Sequence, residues 1–370
     1  MSINPQKRIK MPTDAFTWKN KITALLHTKY PIIQAPMFGV ATPKMVAAAG
    51  EIGVLGTLPL GDLPAEKCAE LIRATKRLTH HSFAVNVFLN PLPERTMELE
   101  QRYTHTKQYI EGLAEQHGLI ANLADYEQVV YTDYRDQVEA IIAEGCKIVS
   151  FTFGVFDDET INKMKQQGIV LIGTCTSVAE ALVLEQKGID LICVQGIEAG
   201  GHQGTFLTDT LPKIGGLSLL AKVKDTVQTP LIYAGGLYNA STILAAKTLG
   251  AQGFALGSLL LGSEESNLAE FEKEALRQAK EEDLTLTKSF SGRYARGLSN
   301  TFTRELDQSD YILPYPFQNK LTVGLRIAAK IKKDPQFSSL WTGQSRGPYS
   351  GASIKVILTQ LIQEVELLQQ

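Results

Sequence analysis

The apolar positions of this chain gather into short unbroken runs separated by longer stretches of helical periodicity. The runs are PIIQAPM (31–37), GVLGTL (53–58), FAVNVF (83–88), KIVSFTFG (147–154), IVLIGTC (169–175), DLICVQG (190–196), PLIYAGG (230–236) and GFALGSL (253–259). Continuous rather than alternating runs of this length predict strands buried on both faces, as in a parallel sheet. PKMVAAAGEI, AEKCAELIRATKRL, DETINKMKQQG, SVAEALVLEQKG, SLLAKVKDTV and NASTILAAKTLG lie between them and predict helices, several closing on a glycine that suits a C-cap. Eight strand–helix units predict a closed (β/α)8 TIM barrel; an open doubly wound sheet is the alternative.

Two regions break the repeat. Residues 91–146 are polar and helix-rich, hold Tyr103, Tyr109, Tyr126, Tyr131 and Tyr134, and are expected to form an insertion between the third and fourth strands. After the eighth run, residues 264–283 predict an amphipathic helix. Two irregular sections follow, SFSGRYARGLSNTF and SDYILPYPFQNKLT, and ASIKVILTQLIQEVELL predicts a closing helix. The expected organisation is a barrel over 1–260, a cap or lid with substrate-binding character over 261–345, and a C-terminal helix within 346–370 packing back on the barrel.

Length agrees: 370 residues exceed the roughly 250 of a plain barrel and leave chain for a cap. Lys and Arg number 37 and Asp and Glu 39, a net charge of −2 that offers no electrostatic case for nucleic acid or an anionic membrane as partner. No apolar run is long enough to span a bilayer. The opening MSINPQKRIKMPTDAF has basic residues without an apolar stretch behind them, so no secretory signal is expected. Cys68, Cys146, Cys175 and Cys193 form no C-x-x-C pair, and a reducing cytoplasm is the expected setting.

Barrel enzymes place their chemistry at the C-terminal ends of the strands. The seventh run ends in Ala234-Gly235-Gly236 and the eighth carries Gly257-Ser258, small residues that let backbone N–H groups approach an anion. Phosphate sites after strands seven and eight recur in this fold, although the same glycines would also serve plain tight turns. Neither G-x-G-x-x-G after a strand nor G-x-x-x-x-G-K-[ST] is present. The sixth run leads into Gln195-Gly196-Ile197-Glu198-Ala199-Gly200-Gly201-His202-Gln203-Gly204. Four glycines in this loop imply close approach of backbone to something, and His202 inside it is a candidate base or hydrogen-bond donor. Glu198 and His202 are four apart, but Gly200 and Gly201 between them argue against a helical metal pair, and no metal is expected. Asn86, within an otherwise apolar strand, needs partners that a cofactor heterocycle or neighbouring backbone could supply, and Gln195 admits the same two readings. Gln34 and Met37 stand at the end of the first run. Tyr311 and Tyr315 in YILPYPFQN either pack the cap or wall a pocket.

Gln34-Ala35-Pro36-Met37, Asn86-Val87-Phe88, the segment from Gly196 to Gly204, Ala234-Gly235-Gly236 and the stretch from Tyr311 to Asn319 together resemble the nitronate monooxygenase (2-nitropropane dioxygenase) family over nearly the whole chain. The resemblance implies non-covalent FMN. Gln34 to Met37, Asn86, Gln195, Gly200 and Gly201 would lie along the flavin, and Gly235, Gly236 and Ala255-Leu256-Gly257-Ser258 would hold its phosphate. Ser258 stands where the family usually has threonine. His202 would be the catalytic histidine, and Tyr109, Tyr311, Tyr315 and Asn319 would surround the substrate, Asn319 in a position where some members have lysine. The implied reaction is oxidation of an alkyl nitronate, such as propionate 3-nitronate, by dioxygen to a carbonyl compound and nitrite. NADH:quinone reductases and FMN-dependent enoyl-thioester reductases share the barrel and are the alternative activities; the oligomeric state is left open.

Overall fold

The computed structural model describes residues 17–91, 93–345 and 349–369. The N-terminal segment considered for a secretory signal lies outside them. Eight parallel strands form the sheet: β1 (Ile32–Gln34), β2 (Gly56–Gly61), β3 (Phe83–Phe88), β4 (Ile148–Thr152), β5 (Val170–Cys175), β6 (Leu191–Gln195), β8 (Leu231–Ala234) and β9 (Gly253–Leu256), with β7 (Gly201–His202) outside it. Their order is β1-β9-β8-β6-β5-β4-β3-β2. The ends of that row meet, because Ile33 bridges Leu55 and Gln34 N donates to Leu55 O at 2.8 Å. The sheet is therefore closed, and the TIM barrel expected from eight buried runs is present.

Each run maps onto a strand, with one shift. The second strand begins at Gly56 and continues to Gly61, three residues beyond the apolar run. Proline has no N–H to give a ladder, and the β2–β3 register shifts between Pro59 and Gly61. The barrel is lined at its base by Ile33, Leu55, Ala84, Ile148, Ile172, Leu191 and Ile232, and Ile22 and Leu26 of the helix Lys21–Leu26 join that cluster. A larger apolar layer lies between strands and outer helices. The helix Ile354–Leu367, capped by Ser353, packs between the helices Ala240–Thr248 and Pro43–Glu51 and so completes the outer ring.

A second core sits beyond the barrel. Leu99, Tyr103, Ile110 and Leu113 of the helix Met97–Gln116 cluster with Phe290, Phe302, Phe317, Leu325 and Phe337. The insertion and the C-terminal region therefore share apolar burial, while Val138 and Ile141 of the helix Tyr134–Ala143 belong to the barrel's layer. Within the cap, the helix expected over 264–283 is confined to Glu270–Gln278: Glu272 accepts from Ala269 N at its start, and Ala279 is already extended. The first of the two sections read as irregular, 289–302, holds a strand, and another strand precedes it. β10 (Leu284–Thr287) and β11 (Ala295–Leu298) pair antiparallel, and β11 pairs in turn with β7. Short polar and glycine-containing edges carry no periodic signal of their own; the partner decides them.

Candidate active site

The loop after β6 is held at several points. Gln195 Nε2 donates to His202 O at 2.9 Å, and its Oε1 accepts from Gly204 N at 2.7 Å, so one amide spans the histidine. β7 pairs Ala295 with His202 and Arg296 with Gly201. Gly200 lies so close to the backbone of Thr342 and Gly343 that a Cβ there would sit 2.5 Å from it. Below the loop, the buried Glu180 carboxylate accepts from Thr176 N (2.7 Å), Thr176 Oγ1 (2.8 Å), Phe206 N (2.6 Å) and Leu207 N (3.2 Å). Glu180→Ala leaves these donors without their acceptor, and an unmet buried donor costs about 1–3 kcal/mol. A stability loss of about 3 kcal/mol or more is expected in urea unfolding; a loss below about 1 kcal/mol would show that solvent replaces the carboxylate.

His202 stands in an aromatic surround. Its ring centroid is 5.7 Å from those of Phe153 and Trp341 and 6.5 Å from that of Phe88. Burial, then the cations Arg293 and Arg326, pull its pKa down to about 4, against an opposing pull from Asp62. The imidazole is therefore neutral at physiological pH and free to take a proton. Nε2 lies 2.8 Å from Ser291 Oγ, which itself donates to Arg293 O at 3.1 Å. With its one proton so directed, the serine accepts from Nε2–H, the tautomer that leaves the basic lone pair on Nδ1.

The glycine turns expected after the seventh and eighth runs have a defined backbone conformation. Gly235 and Gly236 take φ of +116° and +70°, a conformation that turns successive N–H groups to one side. The N–H groups of Gly235, Gly236, Gly257 and Ser258 donate to no acceptor among the described residues. Two adjacent strand ends thus present four unpaired donors at the barrel mouth. Ala255 and Leu256 lie in β9 below them, and a Cβ on Gly257 would stand 3.7 Å from Ala35 and 3.8 Å from Met37 Sδ. The segment 341–345 crosses the same mouth: Gly343 N donates to Ser258 Oγ at 2.8 Å, and Ser345 Oγ would be 3.5 Å from a Cβ on Gly236.

Other predicted residues divide. Asn86 is buried and donates to Ser150 Oγ at 2.9 Å. Gln34 is fully buried, accepts from Thr57 N at 3.0 Å and donates to Ala35 O, so its amide stitches the first two strands. Pro36 is exposed at the mouth and Met37 half-buried. Tyr315 lines a cavity of about 490 Å³ with Arg293, Gln203 and Thr205. Tyr109 and Tyr311 stack on each other, centroids 4.4 Å apart, and are not among that cavity's lining. Asn319 accepts from Arg326 at 2.8 Å (backbone O) and 3.0 Å (Oδ1).

Sequence reasoning passed over Phe153, Ser291, Arg293 and the 341–345 segment. Phe153 has φ of +75°, a left-handed backbone rare for a bulky residue, and such strain persists where surroundings over-determine it. It lies just past the end of β4 within the fourth run, so its strand-end position was the available signal. The other three lie in loops far from the barrel repeat and reach the mouth only through the antiparallel sheet.

These features define a barrel enzyme acting on a small molecule at the strands' C-terminal mouth. The model of the nitronate monooxygenase family matches residues 19–364. A probable nitronate monooxygenase of Staphylococcus aureus is 35% identical over 95% of this chain and 99% of its own length. Among solved structures, a nitroalkane oxidase of Streptomyces ansochromogenes aligns with a TM-score of 0.83 at 33% identity, covering 93% of this chain and 97% of its own. FabK of Thermotoga maritima, at 24% identity and a TM-score of 0.74, shares the fold over 95% of this chain and 97% of its own. The chain belongs to the nitronate monooxygenase family and is an oxidoreductase of that family.

Proposed function

We propose that this protein is an FMN-dependent nitronate monooxygenase, taking alkyl nitronates of the propionate 3-nitronate type and dioxygen to a carbonyl compound and nitrite. The observation that carries the reading is the pairing of four unpaired N–H donors on two adjacent strand ends with a histidine kept neutral by its surroundings. The donor set fits a phosphate: Gly235, Gly236, Gly257 and Ser258 would hold it, above Ala255 and Leu256. Gln34 to Met37, Asn86, Gln195, Gly200 and Gly201 would border the flavin ring. FMN, when bound, supplies an electron acceptor that is reoxidised by dioxygen. His202 either takes the α-proton of a neutral nitroalkane at Nδ1 or hydrogen-bonds the nitro oxygens of a preformed nitronate. Phe88, Phe153 and Trp341 flank that ring with apolar surface, which strengthens both interactions. Cysteines that are all unpaired, and no helix among the described residues long and apolar enough to cross a membrane, support a cytoplasmic setting.

Purified protein is expected to be yellow, to release FMN on denaturation, and to consume oxygen and form nitrite when given propionate 3-nitronate. Anaerobic mixing with NADH separates the alternatives. Flavin reduction by NADH faster than by nitronate would replace this reading with a quinone or enoyl-thioester reductase.

A further inference from the structure

The cavity lined by Gln203, the residue after His202, carries a cation, Arg293, that makes no ion pair among the described residues. Arg293 lies in the turn between β10 and β11 with its guanidinium 4.6 Å from the Phe153 ring centroid. Nη1 donates to Thr205 O at 3.3 Å, while Nε is buried and makes no hydrogen bond. No carboxylate among the described residues is within ion-pair distance of it. A second donor is stranded nearby. Tyr315 Oη is buried without a hydrogen-bond partner, and although Asp62 is close enough to raise its pKa beyond the effect of burial, the pair falls short of hydrogen-bond geometry. The phenol therefore keeps its proton and remains a donor.

Both side chains line the 490 Å³ cavity, whose wall also carries Arg102 and Lys288 against one carboxylate, Asp209. Both also touch Phe153, the residue whose ring meets His202 edge-on: the Phe153–Tyr315 centroid distance is 6.5 Å. Burying a guanidinium away from water is costly unless an anion and hydrogen bonds offset the loss. Asp209 acts on Arg293 only across the cavity, and no described residue supplies that anion at ion-pair distance. Asn319 adds no positive charge, its amide oxygen being taken by Arg326.

We propose that Arg293 is the anion anchor of the active site, its Nε edge and Tyr315 Oη together binding the small planar oxyanion of the substrate beside His202. This assignment rests on the nitronate reading for the identity of the substrate, not for the binding of the anion. A planar fork suits two oxygens on one atom, the geometry shared by nitronate, nitrite and carboxylate, better than a point charge does. It also gives the cavity a preference for charged over neutral substrate.

The test uses FMN-loaded protein and sodium nitrite as probe, with binding followed by calorimetry and by Trp341-sensitive fluorescence, and nitroethane as the neutral comparison. Arg293→Gln is expected to weaken nitrite at least tenfold and nitroethane much less, with FMN content unchanged. Arg293→Lys, which keeps charge but loses the fork, is expected to weaken nitrite about three- to tenfold and serves if the glutamine variant does not fold. Nitrite binding as tight as wild type in either variant overturns the proposal, as does an equal loss for nitrite and nitroethane, which would mark Arg293 as a packing residue. No nitrite binding to wild type overturns it too. Failure of wild type to oxidise nitronates while nitrite still depends on Arg293 would instead overturn the nitronate reading and leave the anchor standing.

Discussion

His202→Asn is expected to leave the fold and FMN content intact and to reduce kcat/KM on neutral nitroalkanes by about 10²–10⁴-fold, the usual contribution of a positioned general base. The loss on the corresponding preformed nitronate should be much smaller, because the carbon proton is already gone and asparagine still donates a hydrogen bond. The structure adds a pH signature. A neutral imidazole with its pKa pulled down to about 4 acts as a base only when deprotonated, so kcat/KM on a neutral substrate should rise through about pH 4 and level off above it. An ordinary exposed histidine would place that rise near 6.5. Steady-state kinetics on both substrate forms across pH decides it. Equal, small losses on both forms would remove the base role, and a rise near 6.5 would show that in the FMN-loaded enzyme the ring is neither desolvated nor held down by Arg293 and Arg326.

Gly236→Val is expected to lose most of its FMN during purification. At φ of +70° a β-branched residue is strained, and such positions cost about 1–3 kcal/mol. The new Cβ would also meet Glu198 Cγ at 3.3 Å and Ser345 Oγ at 3.5 Å, so the cradle cannot keep its shape around a phosphate. Strain alone lowers stability anywhere, so the control is Gly168→Val, at φ of +66° with nothing within 4 Å of its Cβ. Both variants should unfold earlier in urea, but only the first should show a flavin-to-protein ratio well below wild type. Full FMN loading of Gly236→Val would move the phosphate elsewhere.

The barrel was legible in the chain because its strands are buried on both faces. That burial forces unbroken apolar runs such as FAVNVF and PLIYAGG, and a run of this kind needs no partner to be recognised. The His202 loop and the glycine pairs after β8 and β9 were legible for a related reason. Backbone that must turn sharply or approach another group closely demands glycine, and the demand is written locally at Gly200, Gly235 and Gly236. What those loops could not announce is their state. His202 is neutral because Phe153, Trp341 and two arginines from distant segments converge on it, and a pKa is a property of surroundings rather than of the residue.

The cap shows the same division. Its apolar residues were visible as composition, but the pairing of β11 with both β10 and β7, which sets Ser291 and Arg293 beside the histidine, depends on strand edges too short to carry a pattern. Tyr311 and Tyr315, four residues apart, part company: one stacks on Tyr109 while the other lines the cavity, since each ring follows the neighbour available to it. By itself the sequence determined the closed barrel, the end of it at which the glycine-rich loops gather and the histidine among them, all consequences of local burial and local backbone geometry. Only the tertiary structure decided which charges face that histidine, which donors are left without acceptors and which tyrosine reaches the cavity, because those depend on residues far apart in the chain meeting in a space with little water to compensate them.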